Sequence, residues 1–216
     1  MNQRWLAYLC FAVIGGMTLL LFGLRLRPVW EPPKPKRETL IAKTEIPTVT
    51  FADPSLGPPT AQVTIVEFGD FPCGPCAVAS DTARAIQRAY PSKVRLVWKY
   101  LPNDSAHPFA TPAAVAAQCA HRQGKFWEYA DGLFKRQTVL SEDQFNQTAH
   151  DIGLDTEAFK KCYGGKDTLA LVKKDVEESM RLSITATPTL FINRDRVVGA
   201  PSVHELTVYV KKFLGP

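Results

Sequence analysis

Apolar and polar positions change their spacing several times along these 216 residues, and each change marks a different kind of element. Residues 5–24 (WLAYLCFAVIGGMTLLLFGL) carry no charge over about twenty positions, the length of helix that crosses a bilayer's hydrocarbon core. Arg4 and Arg25 bracket the run, and Trp5, Tyr8 and Trp30 sit where interfacial aromatics belong. A cleaved signal peptide is the other reading. The run ends in Phe22-Gly23-Leu24-Arg25, with no small-residue cleavage site, so the pattern predicts an uncleaved anchor over 1–24. Residues 25–61 lose periodicity altogether. Eight prolines there favour an extended, semi-rigid linker, with 48–51 free to add a short edge strand to whatever follows.

From residue 62 the chain reads as a globular domain. Residues 62–69 (QVTIVEFG) are β-branched and aromatic between turn signals, which predicts a buried strand. Cys73-Gly74-Pro75-Cys76 follows at once. Val78, Thr82, Ala85, Ile86 and Ala89 then recur at helical spacing until Pro91 stops the run. Residues 93–101 (KVRLVWKYL) predict a second strand. From 112 to 180 the spacing is mostly helical. Phe126, Tyr129, Ala130, Leu133 and Phe134 make one stripe, Leu169, Val172, Val176 and Met180 another, and Ser141 caps a helix before Phe145. These stripes read as core. His107-Pro108 reads as a surface loop, and His121, His150 and His204 have no ligand spacing.

Charge then removes one class of partner. The formal net charge is +5, but residues 1–45 hold seven basic against three acidic side chains, leaving 19 basic and 18 acidic for the rest. A domain that close to neutral has no footprint for a polyanion, so nucleic acid is excluded as a partner. With 45% apolar residues, 12 Phe and 4 Trp, the chain has ample material for a core.

The cysteine pair carries the chemistry. Lying in the first turn of a helix, Cys73 meets unpaired backbone N–H groups and the positive end of the helix dipole, which favour thiolate over thiol. Pro75 is tolerated because the first turn has no intrahelical use for its missing N–H. A structural zinc needs a second pair, and Cys119 and Cys162 stand apart from each other and from any paired histidines. A Cys-x-x-Cys between strand and helix therefore points to redox chemistry, with no metal and no dissociable cofactor.

Strand, Phe71-Pro72-Cys73-Gly74-Pro75-Cys76 and helix resemble the active site of the thioredoxin superfamily. Glu67, six residues before Cys73, matches the superfamily's buried carboxyl group. Thr187-Pro188, followed by the strand-like 189–192, resembles the segment whose cis-proline faces the cysteine pair. The long separation between Cys76 and Pro188 resembles the DsbA-like thiol:disulfide oxidoreductases, which insert a helical domain between those points. His107-Pro108 resembles a recurring element of that family beside the redox site, but the surface-loop reading is favoured and His107 is left out of the catalytic residues. The expected architecture is therefore α/β: a thioredoxin-like fold over 62–216 with a helical insertion at about 105–182, preceded by one N-terminal transmembrane helix. Gly74-Pro75 departs from the Pro-His of the strongly oxidising archetype and leaves the direction of reaction open. In so apolar a strand Glu67 is expected to be buried, with its pKa raised, and to handle protons. A cis bond before Pro188 reconciles proline with a strand start and leaves Thr187 free to pair with an extended peptide. Members with cysteines near Cys119 and Cys162 often join them, and the same structural disulfide is expected here.

The resemblance implies an extracytoplasmic enzyme: Cys73 exchanges with a protein thiol or disulfide, Cys76 resolves the mixed disulfide, and Thr187 with Pro188 holds the partner chain. Its expected partners are thiol- or disulfide-containing exported proteins and a membrane redox protein that resets the pair. Oxidation is favoured over reduction or isomerisation. The expected place is the bacterial inner membrane, single-pass, with the domain in the periplasm or outside. Basic residues cluster after the apolar run, against the positive-inside rule for that orientation, but the cysteines need an oxidising compartment. Two other classes remain: a soft-metal module in which two thiolates take copper, and an interaction protein of the same fold without turnover.

Overall fold

The computed structural model describes residues 45–215. Five strands form one sheet among them, in the order β1-β3-β2-β4-β5. These are β1 Ser55–Leu56, β2 Val63–Gly69, β3 Val94–Tyr100, β4 Thr189–Ile192 and β5 Asp195–Val198. β2 and β3 run parallel over seven pairs, from Val63 opposite Val94 to Gly69 opposite Tyr100. β1, β4 and β5 join antiparallel. The two central strands are buried at six of seven positions, the near-continuous burial of strands covered on both faces.

Helix α1 (Gly74–Ala89) connects β2 to β3. α2 (Ala110–Arg122), α3 (Phe126–Lys135), α4 (Glu142–Asp151), α5 (Thr156–Tyr163) and α6 (Lys166–Arg181) fill the interval between β3 and β4, and α7 (Val203–Leu214) closes the described chain. Local chemistry sets several starts. Ser141 and Asp155 accept backbone N–H bonds at the heads of α4 and α5, and Ser202 with Glu205 forms a capping box at α7. Val63, Ile65, Leu96 and Leu190 pack with Ala79, Ala83, Ile86 and Leu206 on one face of the sheet. The helical layer has its own core, into which Phe71 and Trp98 project from the sheet side.

Three expectations change. The edge strand is Ser55–Leu56, not 48–51, because Thr50 and Asp53 close a turn on each other and leave Phe51 99% exposed. Met180, expected in the core, lies exposed. On α6 the buried face runs Thr168, Val172, Asp175, Ser179, a largely polar stripe that Met180 only borders. Asp175 is buried because Lys99 meets it there. The Lys99 ammonium lies 2.9 Å from Asp53, 2.9 Å from Asp175 and 3.2 Å from Glu178, all in the interior or at its margin. Burial works against the charge on Lys99, but the Asp175 and Asp53 carboxylates outweigh it and push its pKa up. This cluster ties residues 45–56 to β3 and α6. The stretch read as the end of a linker is packed on the domain.

Cys119 on α2 and Cys162 on α5 are joined, with Cα atoms 5.7 Å apart. Closing that loop contributes up to about 4 kcal/mol by constraining the unfolded chain.

Candidate active site

β2 delivers the chain to the site and α1 takes it away. Gly69, the last residue of β2, lies so close under the Trp98 ring that any side chain there would displace it. Asp70 and Phe71 turn the chain, the Cys73 N–H donates to the Asp70 carbonyl at 3.2 Å, and Cys73 becomes the N-cap of α1. Its sulfur occupies the position a capping oxygen would take, 3.3 Å from the Cys76 N–H. A thiolate formed at Cys73 would receive that hydrogen bond and the helix dipole together, the arrangement that favours ionisation. Cys73 and Cys76 are joined, with Cα atoms 5.3 Å apart. Cys73 keeps 8% of its surface open and Cys76 none.

The Thr187–Pro188 bond is cis, and the Thr187 carbonyl oxygen lies 3.7 Å from the Cys73 sulfur. A cleft of about 190 Å³ opens beside it, lined by Leu101, Asn103, Ile184, Ala186 and Thr187 among others. Cys73, Cys76, Thr187 and Pro188, placed together from sequence, are thus together in space. Glu67 lies on the α1-facing side of β2, in line with Val63 and Ile65, fully buried and with neither carboxyl oxygen hydrogen-bonded to the protein. Burial raises its pKa well above the usual carboxylate range, and Arg84 on α1 pulls it part of the way down. Cys119 and Cys162 belong to the helical layer, not to this site.

Gln137 carries no signal in the sequence, and His107, read there as a surface-loop residue, is placed at the site. Gln137, after α3, donates from one amide nitrogen to the carbonyls of Phe71 (2.6 Å) and Cys73 (2.9 Å), holding the loop from outside. His107 is not a free surface histidine: its Nδ1 lies 2.8 Å from the buried Asp70 carboxylate. Among the described residues no group of three or more His, Cys, Asp and Glu side chains is placed to hold a metal ion.

The family model described as Thioredoxin matches residues 50–212, most of the chain and all of this site. The chain belongs to the thioredoxin family. Among solved structures, a thioredoxin-like oxidoreductase from Silicibacter pomeroyi DSS-3 aligns with 76% of this chain and 92% of its own, at 26% identity and a TM-score of 0.65. The thiol-disulfide exchange protein alpha-DsbA2 from Wolbachia pipientis aligns with 75% of this chain and 87% of its own, at a TM-score of 0.67 and 17% identity, a likeness of fold. With its joined Cys73–Cys76 pair, this thioredoxin-family chain has a DsbA-like fold.

A relative of another name matches over a longer stretch. The Na(+)/H(+) antiporter NhaA 1 of Salinispora arenicola is 32% identical over 207 residues, which are 92% of this chain and 31% of the antiporter. The chain thus spans less than a third of that relative's length. The single-pass inner-membrane placement does not stand beside these findings. No helix among the described residues is long and apolar enough to cross a membrane. The expected anchor at 1–24 lies outside them, and the matching relatives are named as antiporters, not as single-pass oxidoreductases.

Proposed function

We propose that this chain oxidises thiols of exported proteins in a compartment outside the cytoplasm, with Cys73 as the exchanging sulfur, Cys76 as the resolving one, and a membrane redox protein restoring the disulfide. The observation that carries the reading is the juxtaposition at the cleft. The partly open Cys73 has its sulfur 3.7 Å from the Thr187 carbonyl, where an extended partner chain can pair with backbone groups, while Cys76 is fully buried. In the forward step a substrate thiolate attacks the Cys73–Cys76 disulfide, forming a substrate–Cys73 bond and releasing Cys76 as the leaving thiolate. A second substrate thiolate then attacks the substrate sulfur, releasing Cys73 as thiolate and leaving the substrate oxidised. Glu67, buried on the α1 side with no protein partner for its carboxyl oxygens, donates and accepts the proton that Cys76 exchanges. The Cys119–Cys162 bond supports an oxidising compartment, where such bridges persist.

Direction is tested by equilibrating the Cys73/Cys76 pair against glutathione. A thiolate stabilised at the helix N-terminus makes the reduced form more favourable and the disulfide a better oxidant. Gly74-Pro75 adds no histidine to that stabilisation, so the expected potential lies between about −270 and −120 mV. A value at or below about −270 mV, with the pair found reduced in the native cell, would make this a reductase.

Glu67→Gln separates the proton role from folding. A carboxyl whose folded pKa is raised holds its proton longer in the folded state, so its contribution to stability falls as pH climbs from the unfolded value of about 4.3 towards the folded one. An amide at this position does not titrate and has no such slope. The variant is therefore expected to be more stable than the parent at pH 8, the difference closing near pH 4, by about 1.4 kcal/mol for each pH unit between the two ionisations. Mixed-disulfide resolution is expected to slow by roughly a hundredfold. Urea unfolding at both pH values and stopped-flow exchange with a cysteine peptide check the two halves, and an unchanged rate would remove Glu67 from the mechanism.

A further inference from the structure

The loop ahead of α2 brings a charge pair to the active site that the exchange steps above leave unused. The Asp70 carboxylate is 2% exposed, with Oδ2 lying 2.8 Å from His107 Nδ1 and 3.4 Å from the Asn103 N–H, and Oδ1 without a hydrogen-bond partner. Three residues later is the reactive sulfur, and the Asp70 carbonyl itself accepts the Cys73 N–H. The same loop borders the cleft, where Asn103 and Thr187 share one wall. Of the charged side chains that act on Asp70, His107 lowers its pKa and Asp104 raises it. Asp104 is already occupied at the head of α2, accepting from the Thr111 N–H at 2.9 Å and its hydroxyl at 2.7 Å. His107 is thus the group placed to neutralise Asp70, with its side chain one third exposed.

We propose that Asp70 and His107 act as a positioning pair whose single shared proton is coupled to the ionisation of Cys73. With that proton the pair is neutral overall. Without it, a net negative charge is buried beside the loop that holds the sulfur. A thiolate at Cys73 and an unprotonated pair repel each other, so each increases the other's hold on a proton, and the effect is reciprocal by linkage. Burial already lifts the Asp70 pKa, with the His107 hydrogen bond opposing it, as a carboxylate dependent on one counter-charge should behave. As pH rises and the pair loses its proton, the Cys73 thiolate becomes less favourable and the disulfide a weaker oxidant.

The test compares oxidised and reduced full-length chain, following the pair's protonation at the His107 ring resonances by NMR across pH. The inference rests on Cys73 being the exchanging sulfur, so reduction of insulin disulfides is measured on the same samples. The midpoint is expected at higher pH in the reduced chain, by roughly threefold in proton affinity. Asp70→Asn is expected to abolish that redox difference and to leave about threefold more Cys73 thiolate near neutral pH, read as the rate of iodoacetamide alkylation. Equal midpoints in a chain that exchanges disulfides overturn the coupling alone. A chain without exchange overturns the reading on which it rests, and the coupling with it.

Discussion

Cys76→Ala turns the protein from an exchanger into a covalent trap: after incubation with unfolded, disulfide-bearing substrates it is recovered as mixed disulfides, while Cys73→Ala yields none. The two cysteines are three residues apart and differ in what can reach them. Cys73 is 8% exposed with its sulfur 3.7 Å from the Thr187 carbonyl oxygen, and Cys76 is fully buried. A substrate sulfur therefore bonds to Cys73, and without Cys76 no internal thiol remains to displace it. Turnover in insulin reduction is expected to fall to background in both variants, so the trap, not the loss, distinguishes the roles. Non-reducing gels with mass spectrometry read it. Equal trapping by the two variants would exchange or refute the assignments.

Lys99→Met has the largest expected effect on stability, about 3–5 kcal/mol at pH 8, because it leaves Asp53, Asp175 and Glu178 facing one another without their cation. The loss is expected to shrink at pH 5. Burial pushes Asp175 up to about 6, with Lys99 and the Tyr100 N–H pulling it down. Its folded pKa thus exceeds the ordinary 3.8, and this carboxyl's contribution to stability declines as pH rises through that interval. Removing Lys99 takes away a downward pull, so Asp175 holds its proton to still higher pH and needs no counter-charge at pH 5. Adding Asp175→Asn to Lys99→Met should recover part of the loss at pH 8 and little at pH 5. Urea unfolding of the parent, single and double variants measures this, and a deficit equal at both pH values would separate the ion cluster from the effect.

What the sequence made legible is what short-range chemistry fixes. Strand, Cys-x-x-Cys and helix are contiguous, so the N-cap placement of Cys73 follows from adjacent residues. Thr187-Pro188 stood out because proline before a strand-like run demands an explanation. The unread parts are long-range pairings between polar residues. Asp70 meets His107 across 37 positions and Lys99 meets Asp175 across 76, and no periodicity signals either contact. Nothing in the strand pattern of 93–101 marks Lys99 as interior, and it is buried because three carboxylates come to it. Met180 failed for the complementary reason: apolar spacing continued one turn past the point where α6 turns its polar face inward, toward Lys99.

Phe71 has a consequence for how the molecule breathes. Two residues before Cys73, its ring stacks on Trp98 at 5.2 Å and meets Phe134 of α3 at 5.2 Å, so the turn that presents the sulfur is rooted in the core of the helical layer. Prying that ring loose would open apolar surface on both sides of it. The redox turn therefore has no private hinge. It shares its opening events with α2 and α3, and a binder that stiffened those helices from the outer side would slow the sulfur chemistry without approaching the cleft.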